Sequence, residues 1–365
     1  MRALTVTPGQ KDSARLEDLP EPPMAEGDIL AQCLAIGICG TDHEILEGDY
    51  GWAPDGASRL ILGHESLGRV EAAPPESGFL PGDLVVGIVR RPDPVPCNAC
   101  AIDEWDMCRN GLYTERGIKS RNGFCSEQFR IESSFAVKVD PTLGILGVLL
   151  EPTSIVAKAW EQVMLAGART ASWAPHRVLV TGAGPVGLLA ALLGVQRQLD
   201  VHVFDRTVDG PKPDIVTALG ATYHSGDIAA LKDLSPDIVI ECTGASPVII
   251  DVMNGIGAGG IVCLAGVSSG GRRIDIDMGA LNRSLVLENE MVFGTVNANR
   301  RHYEAAAVAL AAADRDWLQR LISRRVPLAN WRDALVRHSD DVKVIIDFMA
   351  EEDGETDVRD GHGGH

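Results

Sequence analysis

Residues of the types that bind zinc lie in two short motifs near the start of the chain. GICGTDHEILEGDY contains Cys39, and LILGHESLG contains His64 followed by Glu65. Glu151, in VLLEPTS, is a second candidate carboxylate. A catalytic zinc is held by three such protein groups and keeps one position open for water or substrate. Cys39 and His64, with either Glu65 or Glu151, could form this site, although a single cysteine or histidine in a β-rich segment is usually structural.

A second group of cysteines lies in RRPDPVPCNACAIDEWDMC. Cys97, Cys100 and Cys108 have the spacing C-x2-C-x7-C. Three closely spaced thiols suggest a metal, but a closed structural zinc site needs four ligands. The spacing leaves open whether the loop holds zinc with a different fourth ligand or holds no metal.

The segment VLVTGAGPVGLLAALLG indicates a nucleotide-binding turn. Gly182, Gly184 and Gly187 form G-x-G-x-x-G, with Pro185 and Val186 between the last two, after an apolar strand and at the start of a helix. The glycines permit a tight turn, close approach of a pyrophosphate and packing of the helix on the strand. The N–H groups at the helix start would then face the phosphates.

An acid after the next strand bears on the choice of coenzyme. A carboxylate at Asp205, in VFDRT, would accept hydrogen bonds from a ribose 2′-OH and repel a 2′-phosphate, which favours NAD. Arg206 beside it could pair with a phosphate, so NADP stays possible. Thr243 and Val267, which follow two later strands, complete the predicted coenzyme site.

Two kinds of scaffold must position these residues. From 1 to 155, short apolar runs alternate with Gly- and Pro-bearing turns, which is typical of a β-rich domain. From 156 to 297, the apolar strands RVLVTG, DVHVFD, DIVIECTG and GGIVCLAG alternate with helical segments, which predicts a doubly wound parallel sheet. Residues 298–350 return to the first domain and end in VKVIIDFM, a strand or helix. The predicted fold class is therefore α/β.

Composition excludes some classes of partner. The formal net charge is −18, and an acidic surface repels nucleic acid and anionic membranes. No apolar run approaches the roughly 20 residues that span a bilayer, and the N-terminus lacks a signal-peptide core. We therefore expect a cytoplasmic protein whose eight cysteines are thiols or metal ligands. The acidic, Gly-rich residues 351–365 are predicted to be disordered.

The motifs together resemble one enzyme family. CGTDHE, GHE, the PGD turn, EP before a helix and GAGPVG occur in the order found in zinc-dependent medium-chain alcohol and polyol dehydrogenases. The resemblance implies a GroES-like β-barrel that carries zinc and a Rossmann domain that binds the nucleotide. VRR, GLYTERGI, LLEPTSIVAKA and GTVNANRRHYEAA are also similar to the microbial glucose 1-dehydrogenases of this superfamily.

The resemblance implies further residue roles. Glu115, Glu151 and Asn297 are expected to touch the sugar or to sit at the zinc, with Asn297 also near the coenzyme. A polyhydroxy substrate needs several such hydrogen-bonding groups, which favours a sugar over a simple alcohol. The expected reaction oxidises C1 of glucose or a related aldose to the lactone and reduces NAD(P). Thr41 would begin a proton relay to solvent, and His43 could complete it.

Two features depart from the family pattern, and the roles of two carboxylates stay open. Pro74 stands where the zinc signature expects a small residue. DRT, with Asp205 and Arg206, stands where this subfamily often has a basic pair that supports NADP. Glu65 and Glu151 each have two interpretations, as a direct zinc ligand or as a residue that contacts the zinc ligands.

The resemblance also refines the interpretation of the cysteine-rich segment. The family often carries a structural zinc there, bound by C-x2-C-x2-C-x7-C, and Cys97, Cys100 and Cys108 match the last three positions. Pro94 stands where the first cysteine is expected, and the neighbouring carboxylate of Asp93 is the candidate substitute. A different fourth ligand, or a segment without metal, stays open.

Other functions are weighed against aldose oxidation. A polyol, cyclitol or aminocyclitol dehydrogenase of the same family is the main alternative. A zinc-free quinone reductase would lack the Cys, GHE and EP motifs. A non-catalytic nucleotide-sensing protein would not need intact ligand positions. Relatives are commonly oligomeric, so we expect a homodimer or homotetramer.

Overall fold

The computed structural model of the protein describes residues 1–268, 270 and 273–350. The predicted disordered tail, 351–365, lies outside the described residues.

The N-terminal part of the chain consists of short strands that surround one long strand, β3. The strands are β1 (Arg2–Val6), β2 (Arg15–Asp18), β3 (Ile29–Ile38), β4 (Leu60–Ile61), β5 (Glu65–Ala72), β6 (Leu84–Gly87), β7 (Arg90–Arg91), β8 (Thr114–Arg116), β9 (Ser120–Arg121), β10 (Gln128–Ile131) and β11 (Ala136–Val139). The side chains of β3 (ILAQCLAIGI) are mostly buried, so this strand has sheet neighbours and core on both sides. A single helix, α1 (Gly40–Glu47), follows β3 directly.

A six-stranded parallel sheet forms the middle of the chain. Its strands are β12 (Arg177–Thr181), β13 (Asp200–Phe204), β14 (Thr222–His224), β15 (Ile238–Glu241), β16 (Ile261–Leu264) and β17 (Met291–Gly294). Their spatial order is β14-β13-β12-β15-β16-β17, which is the doubly wound dinucleotide-binding order. The predicted α/β fold class is confirmed, and ligands in such sheets bind outside the carboxyl ends of the strands where the order reverses.

Helices connect and cover these strands. They are α2 (Leu150–Gly167), α3 (Pro185–Gln196), α4 (Pro211–Ala218), α5 (Ser246–Gly255), α6 (Met278–Leu287), α7 (Arg300–Ala311), α8 (Arg315–Leu321) and α9 (Trp331–Ala334). The contact between α2 and α3 is mostly apolar, and the one polar atom of the Trp160 ring on α2 donates to the carbonyl of Ala190 on α3, 3.1 Å away. Helix α2 therefore packs tightly against the helix that follows the nucleotide-binding turn.

The end of the chain returns to the first domain. The strands β18 (Ile322–Pro327) and β19 (Lys343–Asp347) extend a sheet of order β11-β6-β5-β3-β19-β18, with β10 on the other part of β3. Strand β19 runs antiparallel to β3, with Val344 opposite Ile38, and β3 places Gly37 opposite Glu65. VKVIIDFM is thus a strand, and its first residues lie beside Cys39 and Glu65.

One helical stretch in the described residues is long and apolar enough to cross a membrane. It runs from Pro141 to Gly167 as a 3-10 segment followed by α2, and 78% of its most apolar window is buried inside the protein. The expectation that no apolar run approaches this length was therefore wrong. The stretch carries few charges because it is a core helix, and its burial makes it weak evidence for a membrane span.

The predicted domain boundaries stay a prediction. The sheet pairings agree in outline with a unit of residues 156–297 between 1–155 and 298–350. Helix α2, however, begins at Leu150 and runs across the predicted boundary without a break.

Candidate active site

The structure brings Cys39, His64 and Glu65 together. One ligand atom from each lies within 4.8 Å of the others, and the Cys39 Sγ and His64 Nε2 atoms are 3.0 Å apart. Cys39 is the last residue before α1, whereas His64 and Glu65 stand at the start of β5. The cluster therefore depends on the pairing of β3 with β5.

Asp42, one turn into α1, organises this cluster. Its Oδ2 accepts the N–H of Cys39 at 2.9 Å, and its Oδ1 lies 3.5 Å from His64 Nδ1. The N–H of Thr41 donates to the Cys39 sulfur at 3.3 Å. Asp42 thus holds the start of the helix through the Cys39 N–H, and its charge lies beside the Nδ1 side of the imidazole, whose Nε2 faces the cysteine.

The donor set fits a zinc ion. Burial alone would lower the pKa of His64, but the charges of Cys39 and Asp42 raise it well above its usual value. The negative charges of Cys39 and Asp42 that favour the extra proton on the His64 ring would equally favour a bound cation. Zinc would take the place of that proton on binding. Cys39, His64 and Glu65 are the residues that would hold the metal.

The carboxylate of Glu65 has a second partner that the sequence did not indicate. Lys343 Nζ lies 2.6 Å from Oε2 and 2.7 Å from Oε1 of Glu65, and it also donates to the carbonyl of Ile38 at 3.1 Å. Lys343 and Glu65 are both buried, with side chains 1% and 3% exposed. The lysine therefore supplies the counter-charge that a buried carboxylate requires.

Glu151 lies near this group but outside the compact cluster. Burial raises the pKa of Glu151 to about 7; His64 opposes this rise and Glu65 adds to it. Among the described residues the three-ligand group contains Glu65 and not Glu151, which favours Glu65 as the carboxylate of the metal site. The role of Glu151 stays a prediction.

A cleft of about 350 Å³ joins this cluster to the nucleotide-binding turn. Residues predicted from both motifs line it: Cys39, His43, Glu65, Gly184, Pro185, Val186 and Gly187. Residues that sequence reasoning missed line it too: Cys242, Arg337, His338, Asp341 and Lys343. The candidate zinc ligands and the nucleotide-binding turn therefore face the same cleft.

The turn between β12 and α3 has the geometry that a pyrophosphate site needs. Gly182 has φ +93°, a conformation that other residues rarely adopt, and a Cβ on Gly187 would lie 1.8 Å from the carbonyl oxygen of Gly182. A Cβ on Gly184 would meet no atom within 4 Å. Gly184 thus borders open space that a ligand can fill, whereas Gly182 and Gly187 are required by the fold itself.

Asp205 directly follows β13 and contacts this turn. Its Oδ2 accepts the N–H of Ala183 at 2.7 Å, and its Oδ1 accepts the N–H of Thr207 at 2.9 Å. Lys212 on α4 lies 3.5 Å from Oδ2, whereas Arg206 is exposed. Oδ2 thus accepts both the Ala183 N–H and Lys212, whereas Oδ1 accepts the one backbone N–H of Thr207 and keeps a second lone pair for a ribose hydroxyl. The predicted role is compatible with these bonds through Oδ1.

Thr243 and Val267 follow β15 and β16; Thr243 lies next to the turn, and the backbone of Val267 lies next to Gly244. The side chain of Thr243 lies beside Gly182: a Cβ added to Gly182 would be 3.1 Å from the Cγ2 atom of Thr243. The carboxylate of Glu241, which is fully buried, accepts the N–H groups of Thr243 and Gly244 at 2.7 and 3.1 Å. Glu241 was not predicted, although an acid at the end of an apolar strand is a signal for such a role.

Glu115 and Asn297 form a direct pair away from the cleft lining. Asn297 Nδ2 donates to Glu115 Oε1 at 2.6 Å, and the guanidinium of Arg90 donates to the same oxygen at 3.0 and 3.1 Å. Glu115 and Arg90 are buried. Their roles toward a sugar stay predictions.

The cysteine loop, residues 93–108, forms a second candidate metal centre. The Sγ atoms of Cys97, Cys100 and Cys108 lie within 4.8 Å of one another. Hydrogen bonds from the backbone of Arg109 and then of Cys100 lower the pKa of Cys97 to about 6, which favours the thiolate that a metal requires.

Asp93 stays the candidate for the fourth ligand of this loop. The residue is buried; its Oδ1 accepts the N–H of Val95 at 2.8 Å, and its Oδ2 has no hydrogen-bond partner among the described residues. Its carboxylate is not part of the compact three-sulfur group. A metal would therefore have to draw the Asp93 side chain closer or take a different fourth ligand.

Removal of one thiol from this loop should change the metal content. We expect two zinc ions per chain in the purified protein and one in Cys97→Ala, because two remaining thiols do not close a structural site. Metal analysis by mass spectrometry measures this. One zinc in both proteins would show that the loop holds none.

Comparisons with known proteins agree with this fold and site. Residues 25–141 match the family model described as alcohol dehydrogenase GroES-like domain, and residues 144–348 match that described as glucose dehydrogenase C-terminus. The glucose 1-dehydrogenase of Methanocella arvoryzae is 39% identical over 360 residues, which cover 96% of this chain and 100% of that protein. The glucose 1-dehydrogenase of Thermoproteus tenax is 38% identical over 353 residues, 95% of this chain and 99% of that protein.

A solved structure gives the same result. Haloferax mediterranei glucose dehydrogenase, in complex with NADP, Zn and gluconolactone, superposes with a TM-score of 0.88 at 31% identity and covers 96% of this chain and 100% of that chain. The fold and site define a zinc-dependent oxidoreductase with a dinucleotide-binding domain. The chain belongs to the zinc-dependent medium-chain dehydrogenase family, within its glucose dehydrogenase group, as the sequence motifs predicted.

Proposed function

We propose that the protein oxidises the C1 hydroxyl of glucose or a related aldose to the lactone and reduces NAD or NADP. The single observation that carries this proposal is the cleft that Cys39 and Glu65 share with Gly184 and Gly187. Similarity to glucose 1-dehydrogenases over nearly the whole chain supports the choice of an aldose over a polyol.

Bound zinc would act as a Lewis acid on the substrate hydroxyl oxygen, and bound nicotinamide would accept the hydride. The chain itself holds the ligands and receives the proton. Burial and then the charge of Arg337 lower the pKa of His43, so its half-buried ring is neutral at neutral pH and can accept a proton. Thr41 stands between His43 and Cys39 in the sequence, and its hydroxyl is the proposed first member of the relay.

The proposed preference for NAD rests on Asp205. Asp205→Gly should raise kcat/KM with NADP relative to NAD by about tenfold or more, since removal of one charge repulsion is worth more than about 1.4 kcal/mol in a partly buried site. Lys212, 3.5 Å from the carboxylate, would then be free to meet a 2′-phosphate.

Asp209→Gly is the matched control, because Asp209 is exposed in the same loop. It should leave the ratio of NADP to NAD unchanged. An unchanged ratio in Asp205→Gly would mean that this carboxylate serves only to hold the turn through Ala183.

A steady-state panel of aldoses and polyols, each with NAD and with NADP, tests the substrate class. Glucose or another aldose should give the highest kcat/KM. A higher value with a polyol, cyclitol or aminocyclitol would replace the proposed function with the alternative.

A homodimer or homotetramer is proposed for the assembly. Strand β17 is an outer strand of its sheet, and Val286 and Leu287 of the neighbouring α6 are well exposed. Light scattering of the purified protein should give a dimer or tetramer mass, and a monomer would contradict this. No nucleic-acid partner, no membrane partner and the cytoplasm as the location stay predictions.

A further inference from the structure

Asp106 is a buried acid of the cysteine loop with no part in the chemistry described above. Its side chain is fully enclosed, and its two oxygens contact different elements. Oδ2 lies 2.7 Å from Nζ of Lys158 on α2, and Oδ1 accepts Asn299 Nδ2 at 2.7 Å. A charge in this position must be matched by its partners, because the side chain is buried away from bulk solvent.

Both partners of Asp106 hold the segment that contains Asn297. Lys158 Nζ donates to the carbonyl of Val296 at 3.0 Å, directly before Asn297. Asn299 lies two residues after it. The segment 296–299 is therefore attached to Asp106 on both sides of Asn297.

Asn297 needs such support because its backbone is strained. It has φ +62°, which costs a non-glycine residue free energy and persists only where the surroundings impose it. Its own Oδ1 accepts the N–H of Ala298 at 2.9 Å, which leaves Nδ2 free to donate to Glu115. The direction of the side chain thus depends on the conformation of the segment.

Glu115, the other member of the pair, is also connected to Asp106. Arg90 donates to Glu115 through Nε and Nη2, and its Nη1 donates to the backbone carbonyl of Asp106 at 3.2 Å. The 3-10 turn Trp105–Met107 that contains Asp106 lies immediately before Cys108, a thiol of the candidate metal centre. The cysteine loop therefore reaches Glu115 through Arg90, and it reaches the backbone on either side of Asn297 through Lys158 and Asn299.

We infer that Asp106 is a positioning residue that fixes Asn297 against Glu115, so that the cysteine loop sets the geometry of the pair that is proposed to contact the sugar. This inference rests on the proposed aldose function. Apolar residues could fill the same space without the free-energy cost of removing an ion pair from water. A buried ion pair, in contrast, imposes one specific arrangement on the residues that contact it. The cysteine loop would therefore affect sugar binding as well as the stability of its own segment.

Asp106→Asn tests the inference, with Asp103→Asn as the matched control. The substitution keeps the shape of Asp106 but removes the charge that holds Lys158, whereas Asp103 is exposed in the same loop. Amide hydrogen exchange of Ala298 and Asn299 should become faster on the order of tenfold in Asp106→Asn only. The KM for the aldose should rise on the order of tenfold, since small displacements of binding groups have effects of this size.

A double-mutant cycle separates positioning from general structural damage. Asn297→Gly tolerates the positive φ but removes the side chain. If Asp106 acts through Asn297, Asp106→Asn should change the aldose KM little in the Asn297→Gly background. An equal change in both backgrounds, or unchanged exchange at Ala298, would overturn the inference.

Two further outcomes are informative. If the wild type oxidises no aldose but Asp106→Asn still accelerates exchange at Ala298, the proposed function fails and the positioning role stands. If Asp106→Asn does not fold, Asn299→Ser replaces it, because serine keeps a favourable residue before α7 but loses the amide contact to Asp106. That variant should show the same selective rise in exchange, and no rise would overturn the inference.

Discussion

Cys39→Ser should remove one zinc per chain and lower kcat/KM for the aldose by about a thousandfold or more. A serine hydroxyl does not ionise at neutral pH, so the contact between Cys39 Sγ and His64 Nε2 would lose the thiolate that binds metal. A Lewis-acid metal stabilises developing charge by several kcal/mol, and about 1.4 kcal/mol corresponds to a factor of ten in rate. Metal analysis and steady-state kinetics on the same preparation measure both effects.

Cys242→Ser is the control for this substitution. Cys242 lines the same cleft, but its sulfur belongs to neither of the cysteine-containing clusters in the described residues. It should retain zinc and most of its activity. Normal zinc content and a normal rate in Cys39→Ser would refute the role of the Cys39 cluster.

Lys343→Met should lower the free energy of unfolding by about 3–5 kcal/mol, the cost of leaving a buried partner charge unpaired. The charge that loses its partner is Glu65, whose two oxygens both lie within 2.7 Å of Lys343 Nζ. The carbonyl of Ile38, next to Cys39, would lose its donor as well. Urea unfolding of metal-free protein, followed by the fluorescence of its tryptophans, measures the change without a contribution from bound metal.

Lys138→Met makes the same substitution in an exposed ion pair. Lys138 Nζ lies 2.7 Å from Asp83, but the Lys138 side chain is 50% exposed. The free energy of unfolding should therefore fall by less than about 1 kcal/mol. The double variant Glu65→Gln with Lys343→Met should recover part of the stability, because no buried charge is then left unpaired. If Lys343→Met and Lys138→Met lower the free energy of unfolding equally, burial of the ion pair does not determine the loss of stability.

Most of the parallel sheet could be predicted from the sequence, because its central strands are continuous apolar runs between helices. The two edge strands, β14 (Thr222–His224) and β17 (Met291–Gly294), were not among the predicted strands, since both are short and partly exposed. The residue pattern of the first domain indicated only that it is β-rich, because its sheet is assembled from strands far apart in sequence. The GroES-like barrel was predicted from the family resemblance, and the match of residues 25–141 confirms it. The closing segment could have been strand or helix until its pairing with β3 was seen.

The local motifs predicted the metal cluster, whereas long-range partners were missed. Cys39, His64 and Glu65 stand in short recognisable motifs, but Lys343 is 278 residues from Glu65. Only the pairing of β19 with β3 brings the two together. A lysine inside the apolar run VKVII was the available signal, since a charge at an inward strand position requires a buried partner.

The same limit applies to the polar network behind the pair of Glu115 and Asn297. The resemblance to glucose dehydrogenases indicated those two residues, but the contacts of Asp106 and Lys158 join segments far apart in the chain. Lys158 stands in the apolar helical segment SIVAKAW, which is again a charge in a buried pattern.

The central claim is tested most directly with glucose that carries deuterium at C1. The zinc-loaded protein should transfer that deuterium to the nicotinamide ring of NAD or NADP and form gluconolactone in equal amount, with a slower rate than unlabelled glucose where hydride transfer limits turnover. Reduced coenzyme without deuterium, formed while the label stays on the sugar product, would show oxidation at another carbon and would contradict the account.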